Sequence, residues 1–286
     1  MVRIAVCYPN CSKAITFKDG KEKSFNLSLG LYKSNIPYRP WEASYKDVIE
    51  YLEVIHSKSS QPFDYLIVIL DNDFNNAFRK IFIEIAASWK FKDVQIIDSF
   101  HLSLFGSVYA LKISPNQNDI LWEISLFRDH IRCKIWTYNL EDGWHFSRVV
   151  SHEYEGETPS NLDLHELRLK LGIFNQSNIP YIMLHHFGKE QKQDFEQMFP
   201  FSKNPTFPNS LSDKKPCKMA LKYGRGLCGE LRYLQYRCQP ILNRIIEVKT
   251  ENVEIVEMGR FETLPSTKIS SIDPEQKNVL EVNFIS

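Results

Sequence analysis

The predicted order of strands and helices occurs twice in the chain. Residues 3–89 and residues 119–199 each show three β-type runs, an amphipathic helix, an unbroken apolar run and a second helix. Elements paired by order are separated by roughly 115 residues, as Ile4 is from Leu121 and Ile67 is from Met183. This constant spacing predicts two structural repeats. We therefore expect an α/β protein of two tandem lobes with a cleft between them, each lobe a mixed sheet with packed helices.

The repeat also sets the expected domain boundaries. Lobe I is expected over residues 1–115, lobe II over residues 116–245, and C-terminal strands with a tail over residues 246–286. Within lobe II, Cys217–Leu234 is predicted to be helical, and two strands are predicted near residues 244–249 and 253–257. After a polar segment at residues 263–278, the tail Val279–Ile285 could add as an edge strand to another sheet.

Charge and hydropathy exclude two classes of partner. The 35 Lys and Arg residues balance the 35 Asp and Glu residues, which removes the long-range field that nucleic-acid binders use to collect phosphates. No apolar run is long enough to span a bilayer, and Ile4–Cys7 is too short for a signal-peptide core. Six cysteines in a chain without an export signal indicate reduced thiols. We therefore expect a soluble protein of the cytoplasm or nucleus that binds neither nucleic acid nor membrane.

Several segments follow one another in an order that is known from one protein family. They are Arg3–Ser12 with Phe17–Gly20, Tyr65–Arg79, Val94–Asp98, and Tyr181–Phe187 with Ala220–Gly224. Together they resemble the nucleotide-binding domain of the 70-kilodalton heat-shock chaperones, which are actin-like ATPases. The resemblance implies that the two lobes have the actin-like, or ribonuclease-H-like, fold. In that family a hairpin at the start of each lobe serves the phosphates of ATP.

The residues at the two hairpins depart from the pattern of that family. Its first hairpin has an aspartate and paired threonines next to a glycine. The corresponding positions here carry Val6, Tyr8, Pro9 and Asn10. Its second hairpin has an aspartate and three successive glycines, and this pattern falls on Glu123–Arg128, where side chains replace the glycines. Valine cannot orient a Mg²⁺-bound water, proline lacks a backbone donor, and side chains block the amides that would cradle phosphate. Only the acid at Glu123 is retained.

We therefore expect a protein that has kept the fold, has lost the ATPase site and works as a protein-binding or scaffolding module. No catalytic residue, metal ion or cofactor is expected. The adenosine glycines of the family fall on two histidines, and any ligand would meet a small set of remnant cleft positions. These are Tyr8, Pro9, Asn10, Ser125, His185 and His186. Aromatic residues are favoured at interface centres, and the candidate surface aromatics are Trp144, Tyr154 and Tyr236.

Two other functions stay open. The first is a divergent chaperone-type ATPase or ATP-binding protein, which would bind ATP with magnesium through non-standard residues. Those residues would be Asn10, Ser12, Ser125 and Lys189. The second is a dinucleotide-dependent enzyme, because Gly224–Gly229 fits the Gly-x-Gly-x-x-Gly fingerprint and Glu247 follows at about the right distance for a ribose contact. We favour close helix packing as the role of these glycines, since the fingerprint should follow a buried strand.

Overall fold

The structure is a computed structural model, and it describes the chain in segments. The described residues are 2–9, 13–26, 45–57, 62–70, 76–156, 158–172, 179–187, 189–199, 203–206, 215–239, 245–249, 254–258 and 281–285. The chain divides into two compact units. The first unit comprises Met1–Ser114 with Pro208–Arg237, and the second comprises Pro115–Phe207 with Cys238–Ser286. No helix within the described segments is long and apolar enough to cross a bilayer.

A five-stranded mixed sheet forms the centre of the first unit. Its strands are β1 (Ile4–Tyr8), β2 (Lys13–Lys18), β3 (Lys21–Asn26), β4 (Tyr65–Ile69) and β5 (Asp93–Ile97). They lie in the order β3-β2-β1-β4-β5, with β2 antiparallel to both of its neighbours and with β1, β4 and β5 parallel. The helices between and after these strands are α1 (Tyr45–Ser57), α2 (Asn76–Ser88) and α3 (Ser99–Ala110).

The apolar character of β1 and β4 explains their central place. Both strands are buried at nearly every position, as a strand that is covered on both faces requires. Ala5 and Leu66 of these strands share a core cluster with Leu52 of α1 and Phe82 of α2. The predicted buried strand that begins at Tyr65 and the predicted helices before and after it are therefore confirmed.

The second unit repeats this arrangement. Its strands are β6 (Ile120–Leu126), β7 (His130–Asn139), β8 (Gly143–Glu153), β9 (Tyr181–His185) and β10 (Lys203–Thr206). They lie in the order β8-β7-β6-β9-β10, with the same strand directions as in the first unit. The register repeats as well, because Ile4 pairs with Tyr65 as Leu121 pairs with Tyr181. Two tandem lobes with the ribonuclease-H-like strand order form an actin-like fold, and the predicted fold class is confirmed.

Two helices cover one face of the second sheet. They are α4 (Asn161–Leu171) and α5 (Lys189–Met198). A capping box begins α4, in which Ser160 and Asp163 satisfy each other's backbone N–H groups. Leu164 and Leu167 of α4 and Phe195 of α5 are buried in one cluster with the apolar side chains of β6 and β9.

The helix α6 (Lys215–Leu227) packs on the sheet of the first unit. The boundary expected from the repeat, residues 116–245 for lobe II, places this helix with the other sheet, whereas the structure assigns it to the first unit. A Cβ atom on Gly224 would collide with Ile67 of β4, so the glycine permits this close approach. Gly229, with φ of 81°, follows the end of α6, and Leu231–Tyr236 forms a 3-10 helix. The predicted continuous helix to Leu234 is therefore wrong beyond Leu227.

A three-stranded antiparallel sheet belongs to the C-terminal part of the second unit. Its strands are β11 (Ile245–Lys249), β12 (Glu254–Met258) and β13 (Glu281–Ile285), in the order β12-β11-β13. The two predicted strands near residues 244–249 and 253–257 are confirmed. The tail pairs with β11 of its own chain. The predicted polar segment at residues 263–278 lies outside the described residues.

Candidate functional site

The hairpin between β1 and β2 has the apolar character that its sequence predicts. Val6, at the position where the chaperone family has its aspartate, is fully buried and pairs with Ile15 of β2 and Ile67 of β4. Tyr8 ends β1, and the buried Pro9 that follows has no amide hydrogen to offer a ligand. Asn10 and Ser12 lie outside the described residues, so the roles suggested for them stay predictions.

In the second unit, β6 continues through positions at which the family has glycines. Ser125 pairs with Arg132 of β7 and with His185 of β9, and Leu126 pairs with Ile131. The backbone of these two residues is thus part of a regular strand. Ser125 lies between β7 and β9, and Leu126 lies beside β7. A glycine-rich loop leaves successive amides for a phosphate group. Ser125 and Leu126 therefore differ from a glycine-rich phosphate loop in two ways. Their backbone is part of a strand, and their side chains are larger than those of glycine.

Backbone hydrogen bonds and side-chain contacts together hold the turn from β6 to β7. The Phe127 N–H donates to the carbonyl oxygen of His130 at 2.9 Å, and the Tyr154 N–H donates to that of Asp129 at 3.0 Å. The Tyr154 hydroxyl donates to the carbonyl oxygen of Phe127. The His130 ring stacks on the Phe127 ring with centroids 4.6 Å apart, and the Arg132 guanidinium lies 5.0 Å from the same ring centroid. The turn is therefore ordered, although the Phe127 side chain is 40% exposed.

A polar chain runs along this turn and ends in a carboxylate. Arg132 Nη2 lies 3.1 Å from His130 Nε2, and His130 Nδ1 lies 2.6 Å from Asp129 Oδ1. Because arginine can only donate, His130 Nε2 accepts this bond and the Nδ1–H donates to Asp129. The hydrogen bond from His130, aided by nearby positive charge, lowers the pKa of Asp129 below its usual value. Asp129 therefore places a negative charge at the tip of the turn at neutral pH.

A cavity of about 670 Å³ beside this turn is lined by acidic residues. Its described lining residues are Asp129, Glu153, Tyr154, Glu155 and Asp163. Burial raises the pKa of Asp163, but hydrogen bonds from Ser160 and His152 outweigh that effect, so its pKa is lowered. Carboxylates therefore predominate among the described lining residues of this cavity, while Arg128 and Arg132 lie in the adjoining turn.

The acid that the sequence retains at this sheet is used inside the fold. Glu123 is 1% exposed, and its Oε2 accepts a hydrogen bond of 2.8 Å from the indole Nε1 of Trp136. His185 Nε2 lies 3.9 Å from Glu123 Oε1, which is too far for a hydrogen bond. This histidine nitrogen has no hydrogen-bond partner among the described residues. Glu123 therefore holds Trp136 in place, and its carboxylate is not displayed to solvent.

The structure brings three of the predicted remnant positions together. Ser125 and His185 pair across β6 and β9, and His186 follows with a left-handed φ of 69° and a ring centroid 6.5 Å from that of His185. Tyr8 and Pro9 belong to the first unit. Within the described segments, no group of three or more His, Cys, Asp or Glu side chains could hold a metal ion. Ser125, His185 and His186 therefore offer a ligand the unpaired Nε2 of His185 and the hydroxyl of Ser125.

The aromatic residues predicted at the surface are buried. Trp144, Tyr154 and Tyr236 are 0%, 7% and 4% exposed, so that prediction is wrong. Trp144 stacks edge-on with Tyr138 across β7 and β8 at 5.2 Å, a contact between residues on facing strands. The exposed aromatic at this sheet edge is Phe127, which sequence reasoning did not single out. Its place directly after an apolar strand and before Asp129 was the available signal.

The glycine fingerprint does not have the geometry of a dinucleotide site. Gly224 and Gly226 lie within α6 and Gly229 follows its end, whereas the fingerprint belongs in a turn from a strand to a helix. A Cβ atom on Gly226 would lie 2.5 Å from the carbonyl oxygen of Tyr233. Glu247 lies in β11, which belongs to the second unit. The glycines therefore serve helix packing and a helix end.

No family model matches the sequence, and no curated protein matches it. Solved structures that match include a PPX-GPPA enzyme of Aquifex aeolicus, with 14% identity over 65% of this chain and 68% of that chain and a TM-score of 0.32. YeaZ from Pseudomonas aeruginosa shows 7% identity over 78% and 94% of the two chains, with a TM-score of 0.35. A non-polymerising MamK mutant bound to AMPPNP shows 11% identity over 77% and 98%, with a TM-score of 0.42. The fold assignment rests on the strand order and register, and the closer resemblance to heat-shock chaperones stays a prediction.

Proposed function

We propose that this protein is an actin-like pseudo-ATPase that binds another protein and does not turn over ATP. The observation that carries the proposal is the β6–β7 turn. An ionised Asp129 and a regular strand with side chains stand where the resemblance implies a glycine-rich phosphate loop. The burial of Glu123 against Trp136 supports the same conclusion, because the retained acid is not available to a magnesium ion.

Electrostatic repulsion is one physical basis of the proposal. Like charges repel each other, and the repulsion is stronger where the surroundings partly exclude water. ATP would bring several negative charges to a turn that already carries Asp129 and has Glu153, Glu155 and Asp163 around the adjoining cavity. These carboxylates oppose the triphosphate, while Arg128 and Arg132 of the same turn offset part of their charge. The stronger obstacle is therefore the regular strand, on which side chains replace the open backbone amides that a phosphate group would need.

The same turn supports a protein-binding role. Phe127 is partly exposed, and its ring contacts both the His130 ring and the Arg132 guanidinium. Aromatic and arginine side chains are enriched in the energetic centres of protein interfaces, and side chains that are already ordered lose little entropy on binding. We therefore place the partner contact at Phe127, His130 and Arg132, hereafter the β6–β7 patch.

Thermal unfolding with and without millimolar magnesium ATP tests the loss of nucleotide binding. A ligand at a hundred times its dissociation constant adds about 2.7 kcal/mol to the free energy of unfolding. We expect no shift of the midpoint with ATP, ADP or NAD. An upward shift with ATP would contradict the proposal and support the divergent ATP-binding alternative, and a shift with NAD alone would support a dinucleotide-dependent enzyme.

Two variants test the binding role separately. Phe127→Ala removes the exposed ring of the β6–β7 patch, and Leu140→Ala removes a side chain that is 62% exposed in the turn after β7. Once a pull-down has identified a partner, its affinity is measured with both variants. We expect Phe127→Ala to weaken binding roughly tenfold or more, as an interface centre does, and Leu140→Ala to leave it unchanged. Equal affinities of the two variants would place the interface elsewhere.

A further inference from the structure

His130 links a cation to an anion at the tip of the β6–β7 turn. Its Nε2 lies 3.1 Å from Nη2 of Arg132, and its Nδ1 lies 2.6 Å from Oδ1 of Asp129. An arginine can only donate and an ionised carboxylate can only accept, so both bonds form only if the ring is neutral with its proton on Nδ1. The hydrogen bond between His130 and Arg132 therefore exists in one protonation state of the histidine.

A second proton on the His130 ring removes this bond. Both ring nitrogens of a charged histidine are donors, so Nε2 can no longer accept the Arg132 N–H. The imidazolium and the guanidinium then present like charges to each other across the same short distance. Histidine is the side chain that changes its charge between about pH 5 and pH 8. Mild acidification therefore turns an attractive contact into a repulsive one.

The charged groups around His130 decide which contact is given up. They are Arg128 and Asp129 of the turn, Arg132 of β7, Glu153 of β8, and Glu155 and Asp163 of the adjoining cavity. Asp129 is hydrogen-bonded to the ring, and Glu153 is its direct partner across the strands, on the same face of the sheet. Both carboxylates attract a charged ring. Arg132 repels it and is exposed, so the arginine side chain is the one that turns away.

Phe127 couples this exchange to the exposed face of the turn. Its ring is stacked on the His130 ring with 9° between the planes, and the Arg132 guanidinium lies 5.0 Å from its centroid. Because the two rings lie side by side, a guanidinium that leaves the imidazolium also leaves Phe127. The β6–β7 patch then loses the ordered cation beside its exposed aromatic ring.

We propose that His130 is a pH switch of the β6–β7 patch, in which the neutral ring holds Arg132 beside Phe127 and the charged ring expels it. The inference rests on the proposed function, because it assigns a regulation to the patch at which we place the partner. An ordered side chain loses less entropy on binding than a mobile one. The partner therefore binds more weakly under mildly acidic conditions than at neutral pH.

Two-dimensional NMR of the full chain follows the switch without a partner. Protein labelled with ¹⁵N is titrated from about pH 8 to about pH 5. The observed groups are the imidazole nitrogens of His130, the Nε–H of Arg132 and the amide of Phe127, which donates to the carbonyl oxygen of His130. We expect a proton on Nδ1 alone at the alkaline end, and one common midpoint for the changes at all three residues.

Four variants assign the change to this ring. His130→Gln keeps an acceptor for Arg132 but cannot become charged, so the change at Arg132 should vanish. Asp129→Asn removes a charge that favours the imidazolium and should move the midpoint down by about 0.2–0.7 of a pH unit, as expected for an exposed ion pair. Arg132→Gln removes a charge that opposes it and should move the midpoint up by a similar amount. His165→Gln makes the same substitution at an exposed histidine of α4 and should leave the midpoint unchanged.

A common midpoint that His130→Gln abolishes and His165→Gln preserves supports the switch. The proposal is overturned if the Arg132 signal stays constant across the titration, or if its change persists in His130→Gln. With a partner identified, its dissociation constant should rise roughly threefold or more between about pH 7.5 and about pH 5.5 for the natural chain. It should stay nearly constant for His130→Gln, and equal rises for both proteins would refute the regulation. An affinity that Phe127→Ala leaves unchanged would instead refute the partner contact, so the two failures are distinguishable.

Discussion

Replacement of Gly226 by alanine distinguishes a packing role of the glycine fingerprint from a role in ligand binding. Gly226 lies in α6 directly beneath the 3-10 helix Leu231–Tyr236. A Cβ atom at this position would lie 2.5 Å from the carbonyl oxygen and 3.2 Å from the carbonyl carbon of Tyr233. Ordinary contacts between non-bonded heavy atoms need about 3.5 Å. The backbone of the 3-10 helix would therefore have to move away from α6.

The expected magnitude follows from two opposing effects. Alanine is favoured over glycine inside a helix by about 1 kcal/mol. Overpacking against a backbone that cannot rotate away costs typically about 1–3 kcal/mol. The displaced segment also carries Glu230, which binds Arg225 through two contacts of 2.7 Å, and Tyr233, whose ring centroid lies 4.4 Å from the Arg225 guanidinium. The helix gain subtracted from the overpacking cost leaves about 0–2 kcal/mol. Disturbance of the Arg225 contacts adds to this cost, so we expect Gly226→Ala to lower the free energy of unfolding by about 1–2 kcal/mol.

Urea unfolding followed by circular dichroism measures this difference. Leu227→Ala, a change at the next residue with a side chain that is 39% exposed, should alter stability by only about 0.5 kcal/mol. A Gly226→Ala variant more stable than the natural chain would refute the packing argument, because only helix propensity would then be acting. The sign of the change therefore decides the question.

Three further predictions concern groups in the cores and at the turn. Glu123→Ala should lower the free energy of unfolding by about 1–3 kcal/mol, because it leaves the Trp136 indole N–H buried without its partner; a loss below 0.5 kcal/mol in urea unfolding would contradict the assigned contact. Tyr154→Phe should cost about 1 kcal/mol through loss of its hydrogen bond to Phe127, and amide exchange in the β6–β7 turn should accelerate; unchanged exchange would show that this bond does not hold the turn. Burial raises the pKa of Asp64, but hydrogen bonds from neighbouring basic side chains lower it to about 2. Its folded pKa is thus below its unfolded value near 4, so the stability that Asp64 contributes is present above pH 4 and is lost as the pH falls towards 2. Asp64→Asn should lack this part of the acid dependence in urea unfolding at several pH values, and equal slopes for both proteins would disprove the linkage.

Much of the fold could be predicted because its elements have local patterns. The apolar run at Tyr65–Ile69 and the helical period of α2 each lie within a single stretch of sequence. The duplication followed from the order of such stretches, and the repeated register of β1 with β4 and of β6 with β9 bears it out. The absence of glycine from residues 123–128 was also visible from the sequence, since it needs only the residue types.

Other features depended on contacts between residues far apart in the chain. The aromatic residues Trp144, Tyr154 and Tyr236 were predicted at the surface, yet each is buried in the folded chain. The packing of α6 on the first sheet brings Gly224 against Ile67. The order of elements along the sequence had instead predicted that this helix belongs to the second lobe.

The sequence by itself determined most of the strands and helices, the repetition of their order, and the absence of glycine from residues 123–128. Only the tertiary structure decided that the buried Glu123 accepts a hydrogen bond from Trp136, that His130 lowers the pKa of Asp129, and that Phe127 is exposed at its turn. The physical reason is that periodicity acts between near neighbours, whereas burial and pKa depend on every group that the fold brings to a site.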